Sequence, residues 1–135
     1  MTRFYAIDEA NAALPEVERI LVALRDQREE LITRRDKVVE LSPSDDAAVS
    51  PGVGEQVRLL RLSMQGLIDQ MQAGVARLVE LDITLRDIST GLIDFPALVS
   101  GRPIWLCWRL GEGDVAFWHE LGDGFGGRQA LAELT

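Results

Sequence analysis

One cysteine, one histidine and one tyrosine stand in the 135 residues, and cations are outnumbered. With Cys107 alone, no internal disulfide can form, which suits a reducing compartment. Fourteen Lys and Arg face 22 Asp and Glu, for a net charge of -8. Nucleic acid is held mainly by neutralising phosphates, so this balance argues against a nucleic-acid partner. It argues equally against an anionic membrane surface. No apolar run approaches the roughly 20 residues that a membrane helix needs. The opening Met-Thr-Arg-Phe-Tyr-Ala-Ile-Asp lacks the apolar core of a signal peptide, so the expectation is a cytoplasmic protein.

What is present suffices for one domain. Hydrophobic residues make up 47% and charged residues 27%, an ordinary globular balance at a length that supports a single core. Residues 3–7 are short and apolar-rich, in the manner of a strand. Asp8 is a good N-cap, because its carboxylate can accept from free first-turn amides. Residues 8–40 then read as a helical arm, with a break or restart at Pro15. Val17, Leu21, Leu24, Leu31 and Val38 form its apolar stripe. Arg28 and Arg35 fall on the same seam, so its distal half is the wetter one.

Residues 41–54 are rich in Ser, Pro, Asp and Gly and read as a flexible loop. Residues 55–81 carry the clearest signal. Val57, Leu60, Met64, Leu67, Met71, Gly74, Leu78 and Leu81 recur at alternating spacings of three and four, a heptad seam. Two arms of similar length joined by one loop predict an antiparallel helical hairpin. Ile68, Val75 and Val79 lie outside the seam. A second copy of the chain, completing a four-helix bundle, is the simplest cover for them.

After Leu81 the pattern turns to alternation. Residues 83–88 are either a strand or the end of the helix. Residues 92–99, 103–110 and 115–121 read as strands, with Pro96 marking an edge or a bulge. Residues 122–128 form a glycine-rich loop ahead of the tail. The fold class is therefore α+β, a long helical hairpin followed by a β-meander of three to four strands, all in one domain.

Turn positions suggest the registers. A turn at Ser100-Gly101 pairs Phe95 with Leu106 and Asp94 with Cys107. A tight turn at Glu112-Gly113 pairs Leu110 with Val115, Trp108 with Phe117 and Leu106 with His119. Alternation then places Ile93, Phe95, Ile104, Leu106, Trp108, Leu110, Val115, Phe117, His119 and Leu121 on one apolar face. Asp94, Trp105, Cys107, Arg109, Trp118 and Glu120 share the other, where an interface or a pocket wall is expected.

Candidate chemistry is sparse. His119 as a general base needs a carboxylate or a substrate beside it. Its expected neighbours are apolar, which favours a structural ring. Cys107 as a nucleophile needs a base close by, and this register sends it to the face opposite His119. For the same reason Asp94, Cys107, His119 and Glu120 do not converge as metal ligands, and no metal is expected. The stretch 122–128 is neither a Walker loop nor a dinucleotide fingerprint, though its amides and Arg128 suit one small anion. Arg34, Arg35 and Lys37 interleave with acids and read as a solvated face.

Two hypotheses follow. The first is a non-enzymatic homodimer that binds a small molecule, an anion or a protein through Trp105, Arg109, Trp118 and Arg128. The second is a small enzyme at the sheet end, using His119 or Cys107 with Asp94 or Glu120. No cofactor is named by any motif.

Gly91-Leu92-Ile93-Asp94-Phe95-Pro96, Leu106-Cys107-Trp108-Arg109-Leu110-Gly111-Glu112, Trp118-His119-Glu120 and Gly124-Phe125-Gly126-Gly127-Arg128 together resemble a prokaryotic family catalogued as domain of unknown function 2203. Asp8-Glu9-Ala10-Asn11 and Leu14-Pro15 resemble that family's opening. The resemblance covers essentially the whole chain. It implies no activity and no catalytic residues, but it suggests that any shared function lies around Asp94, residues 107–112, His119 and Arg128.

Overall fold

A computed structural model describes residues 3–42 and 52–133. Two helices, α1 (Ile7–Leu41) and α2 (Val53–Glu80), precede five strands: β1 (Thr84–Asp87), β2 (Leu92–Val99), β3 (Arg102–Arg109), β4 (Phe117–His119) and β5 (Gln129–Ala130). The helices form the hairpin and the strands one antiparallel sheet in sequential order. The sheet thus has five strands, not three to four, because residues 84–87 pair with β2 and a two-residue strand closes the far edge. The predicted loop 41–54 falls mostly outside the described residues.

The first helix is longer than its expected arm. It starts at Ile7 with Ala6 as N-cap, and Asp8 lies inside the first turn rather than capping it. The Glu9 carboxylate accepts from the Ala6 amide at 3.0 Å, half of a capping box. The helix passes through Pro15 without ending. An interior proline forfeits one backbone bond at a cost of about 3 kcal/mol. Burial of Leu14 and Val17 on either side offsets it. Residues 3–7 are not a strand. Tyr5 instead donates its amide to the Pro96 carbonyl at 2.7 Å and its hydroxyl to the Leu81 carbonyl at 2.6 Å.

Burial along the hairpin is polarised. Ala10, Leu14, Val17, Leu21 and Leu24 are buried on α1, at spacings of four and three, all in its first half. On α2 only Leu67 and Leu78 are buried. Gly74 sits where an added Cβ would lie 3.2 Å from Leu24 Cδ2, so its small size makes room for that buried leucine. Polar cross-links take over distally, as Gln27 donates to Gln70 at 3.3 Å and Arg34 to Ser63. The basic run near the tip is ion-paired, with Arg34 on Glu30, Arg35 on Asp36 and Lys37 on Glu40.

The sheet packs one face on the buried end of the hairpin. Ile93, Phe95, Ile104, Leu106, Trp108 and Trp118 join Tyr5, Leu14, Val17, Leu21 and Leu78 in a single core. Pro96 lies in a central strand, not at an edge. The β1 ladder stops at Asp94, two residues short of it. Its carbonyl points to Tyr5, away from β3. In extended backbone the amide nitrogen points the same way as the carbonyl, so its missing proton costs β3 nothing.

Candidate functional site

The β2–β3 register matches the expected one, with Phe95 opposite Leu106 and Asp94 opposite Cys107. The turn between them has positive φ at both Ser100 (52°) and Gly101 (78°), the conformation that suits two-residue hairpins. The next register differs by one residue. Trp105 faces His119, Leu106 faces Trp118 and Cys107 faces Phe117. The connection is a wide loop, not a tight turn at Glu112-Gly113. Glu112 donates its amide to the Arg109 carbonyl, and Ala116 accepts from the Leu131 amide. Val115 donates its amide to Asn11 Oδ1 on α1 at 2.7 Å.

A slip of one residue exchanges the faces of a strand. His119 and Phe117 therefore belong to the face of Asp94 and Cys107, and Trp118 turns into the core. This corrects both the apolar surroundings assigned to His119 and its separation from Cys107. His119 Nε2 lies 3.0 Å from Asp94 Oδ1. Its Nδ1 lies 2.8 Å from the Glu120 carbonyl. A carboxylate oxygen of Asp94, Cys107 Sγ and a ring nitrogen of His119 all lie within 4.8 Å of one another. Asp94, Cys107 and His119 are 1%, 1% and 2% exposed.

Arg86 completes the group from β1. Its Nε donates to Asp94 Oδ2 at 2.8 Å, and its guanidinium lies 5.1 Å from the centre of the Trp105 ring. The β1–β2 register shifts between Leu85 and Asp87, and such an irregularity re-aims the residue it holds. Sequence reading missed Arg86, because nothing local told strand from helix across residues 83–88.

The cluster floors a cavity of about 410 Å³, roofed by Leu121, Gly122, Asp123, Gly124 and Phe125. Burial, reinforced by the neighbouring Asp94 charge, pushes the Cys107 thiol up to about 11. It is a protonated thiol at neutral pH and a poor free nucleophile.

None of the four expected contact residues lines this cavity; three of them stand behind it. Arg128 pairs with Glu112 through both terminal nitrogens at 2.9 Å and lies 4.0 Å from the Phe117 ring and 4.5 Å from the Phe125 ring. Arg109 lies 5.2 Å from the Phe125 ring. Trp105 carries Arg86. Trp118 is buried, and Arg102 lies 5.8 Å from the centre of its ring. Glu120 contributes its backbone carbonyl, while its carboxylate pairs with Arg102 at 2.6 Å.

The sequence profile of a family of uncharacterised conserved proteins, DUF2203, matches residues 3–131. The chain belongs to DUF2203. No curated protein and no solved structure matches it. In this DUF2203 chain the segments that carry the resemblance build the cluster and its supports: Asp94 from one, Cys107 and Glu112 from the next, His119 from the third, Phe125 and Arg128 from the last. Among the described residues, no helix is long and apolar enough to cross a membrane.

Proposed function

We propose that the protein is a small enzyme whose active site is the cavity floored by Asp94, Cys107 and His119, with a small polar substrate seated under the 122–124 loop. One observation carries this reading: an imidazole and a carboxylate, both buried, meet at 3.0 Å at the bottom of that cavity. Burying such a pair away from water is costly unless its partners are fixed. Nδ1 is committed to the Glu120 carbonyl and Nε2 to Asp94 Oδ1, so the imidazole and the carboxylate would handle a proton as one unit. Polar groups converging in a concave site are the usual mark of a binding or reaction centre.

A thermal-shift screen of small polar molecules, followed by assays for turnover of any hit, tests this. A ligand at about 100 times its Kd adds about 2.7 kcal/mol of stability. The shift should vanish in Asp94→Asn and His119→Gln while persisting in Arg109→Gln. Hits that shift all variants equally would remove the cavity as the site. A ligand that binds without being changed would make the protein a binding module instead.

We further propose a homodimer in a cytoplasmic setting. Leu31, Ile68, Met71, Val75 and Ala76 line a shallow apolar depression on the hairpin, and Val79 beyond it is 65% exposed. An uncovered stripe of this kind suits a second copy. Light scattering tests it, and a monomer at micromolar concentration would retire the idea.

A further inference from the structure

We propose that Asp94, Cys107 and His119 form a mononuclear transition-metal site of the zinc class, with its remaining coordination position open to the cavity. The inference rests on the cavity being the functional site and names the agent that works there.

Proton accounting leads to it. The Glu120 carbonyl can only accept, so the Nδ1 that lies 2.8 Å from it carries a proton and donates. Nε2 then offers a lone pair, yet it faces Asp94 Oδ1, another acceptor, at 3.0 Å. Two buried acceptors at that distance need a cation between them. A proton satisfies two atoms. A metal ion satisfies three, because Cys107 Sγ lies within 4.8 Å of a carboxylate oxygen of Asp94 and a ring nitrogen of His119.

The geometry is close to what an ion needs. Bonds of about 2.0–2.3 Å to N, O and S at tetrahedral angles put ligand atoms roughly 3.3–3.7 Å apart. Closing the three atoms onto one centre asks for shifts of about an ångström or less.

Outer contacts are in place. A metal-bound imidazole typically donates its other N–H to a carbonyl or carboxylate, and a bound carboxylate is itself hydrogen-bonded. His119 does the first through Glu120, and Asp94 the second through Arg86 at 2.8 Å. One thiolate, one imidazole and one carboxylate select zinc and its neighbours over magnesium or calcium. A divalent ion is neutralised by the carboxylate and the thiolate. Its binding releases the thiol proton and the proton shared by His119 and Asp94 to solvent. Three protein ligands with an open position match catalytic rather than structural zinc.

The test uses the full chain, freed of metal by a chelator and titrated with Co2+ and then Zn2+. One Co2+ per chain should bind, giving tetrahedral d–d bands and a thiolate-to-cobalt charge-transfer band, and Zn2+ should displace it. Cys107→Ser should lose the charge-transfer band with helical circular dichroism unchanged. Arg86→Gln, which removes only an outer contact, should weaken binding about 10–100-fold, whereas Arg109→Gln should not. Absence of saturable binding, or a spectrum indifferent to Cys107→Ser and His119→Gln, overturns the site. If no metal binds but ligand shifts still vanish in Asp94→Asn, the metal falls and the enzyme reading stands. If metal binds but no substrate is turned over, the metal site stands and the enzyme reading falls.

Discussion

Arg128 clasps Glu112 with two hydrogen bonds of 2.9 Å, fastening the end of the glycine-rich loop to the β3–β4 connection. Both side chains are largely sheltered, at 12% and 20% exposure, and the Glu112 carboxylate also accepts from the Arg109 amide at 2.8 Å. Removing one partner leaves the other charge buried and unpaired. Arg128→Gln should therefore cost about 1–3 kcal/mol of unfolding free energy, read from urea denaturation.

The same pair sets a pH dependence. Burial pushes the Glu112 carboxyl up, but Arg128 and the Arg109 amide outweigh it and hold it below its ordinary value of 4.5. A depressed folded pKa contributes stability that is complete above the unfolded value and is lost as pH falls through the folded one. Wild type should thus exceed Glu112→Gln in urea midpoint at pH 7. The gap should narrow below pH 4.5 and close at still lower pH. A constant gap would show that the carboxylate charge is not what stabilises the clasp.

Gly91 turns the chain between β1 and β2 with φ of +67°, and a Cβ there would lie 2.6 Å from Leu110 Cβ. Left-handed backbone alone costs a non-glycine residue about 1–2 kcal/mol, and the overlap adds to it. Gly91→Ala should lose at least about 2 kcal/mol by denaturant titration. Gly101, with nothing within 4 Å, should tolerate alanine better.

Asn11 on α1 accepts the Val115 amide and so holds the connection that leads into β4. Asn11→Ala leaves that donor without its partner and should cost about 1–3 kcal/mol. Hydrogen exchange at the amides around Val115 should rise more than exchange in β2. Equal protection in both would show that another acceptor takes the bond.

Ser100 has φ of 52° in the β2–β3 turn. Asparagine tolerates that conformation better than serine. Ser100→Asn should raise stability by about 0.5–1 kcal/mol without changing the urea slope.

Much of the fold was legible because its signals are local. The unbroken three–four spacing from Val57 to Leu81 marks the second arm, and Ser100-Gly101 fixes one hairpin register by itself. The candidate site was hidden because its decisive signals are not local. The register of β4 depends on an amide held by Asn11, 104 residues away in sequence, and on the Leu131 amide held by Ala116. A tight turn there sends His119 to the core and Trp118 to the open face, and each lies where that turn would put the other. Asp94 opposite Cys107 follows from the Ser100-Gly101 turn, so two of the three cluster residues stand in plain view without the histidine. The strand β5, two residues long, carries no periodicity to read.

Every ladder in the sheet joins strands that are neighbours in sequence. Few long loops must close before those pairings form, which keeps contact order low across residues 84–130 and favours rapid assembly. Asp94 and Cys107 would come together as soon as β2 and β3 have zipped. The Val115 tether, by contrast, must wait for the first helix to dock. His119 would then join the other two last, once that brace has selected the register of its strand.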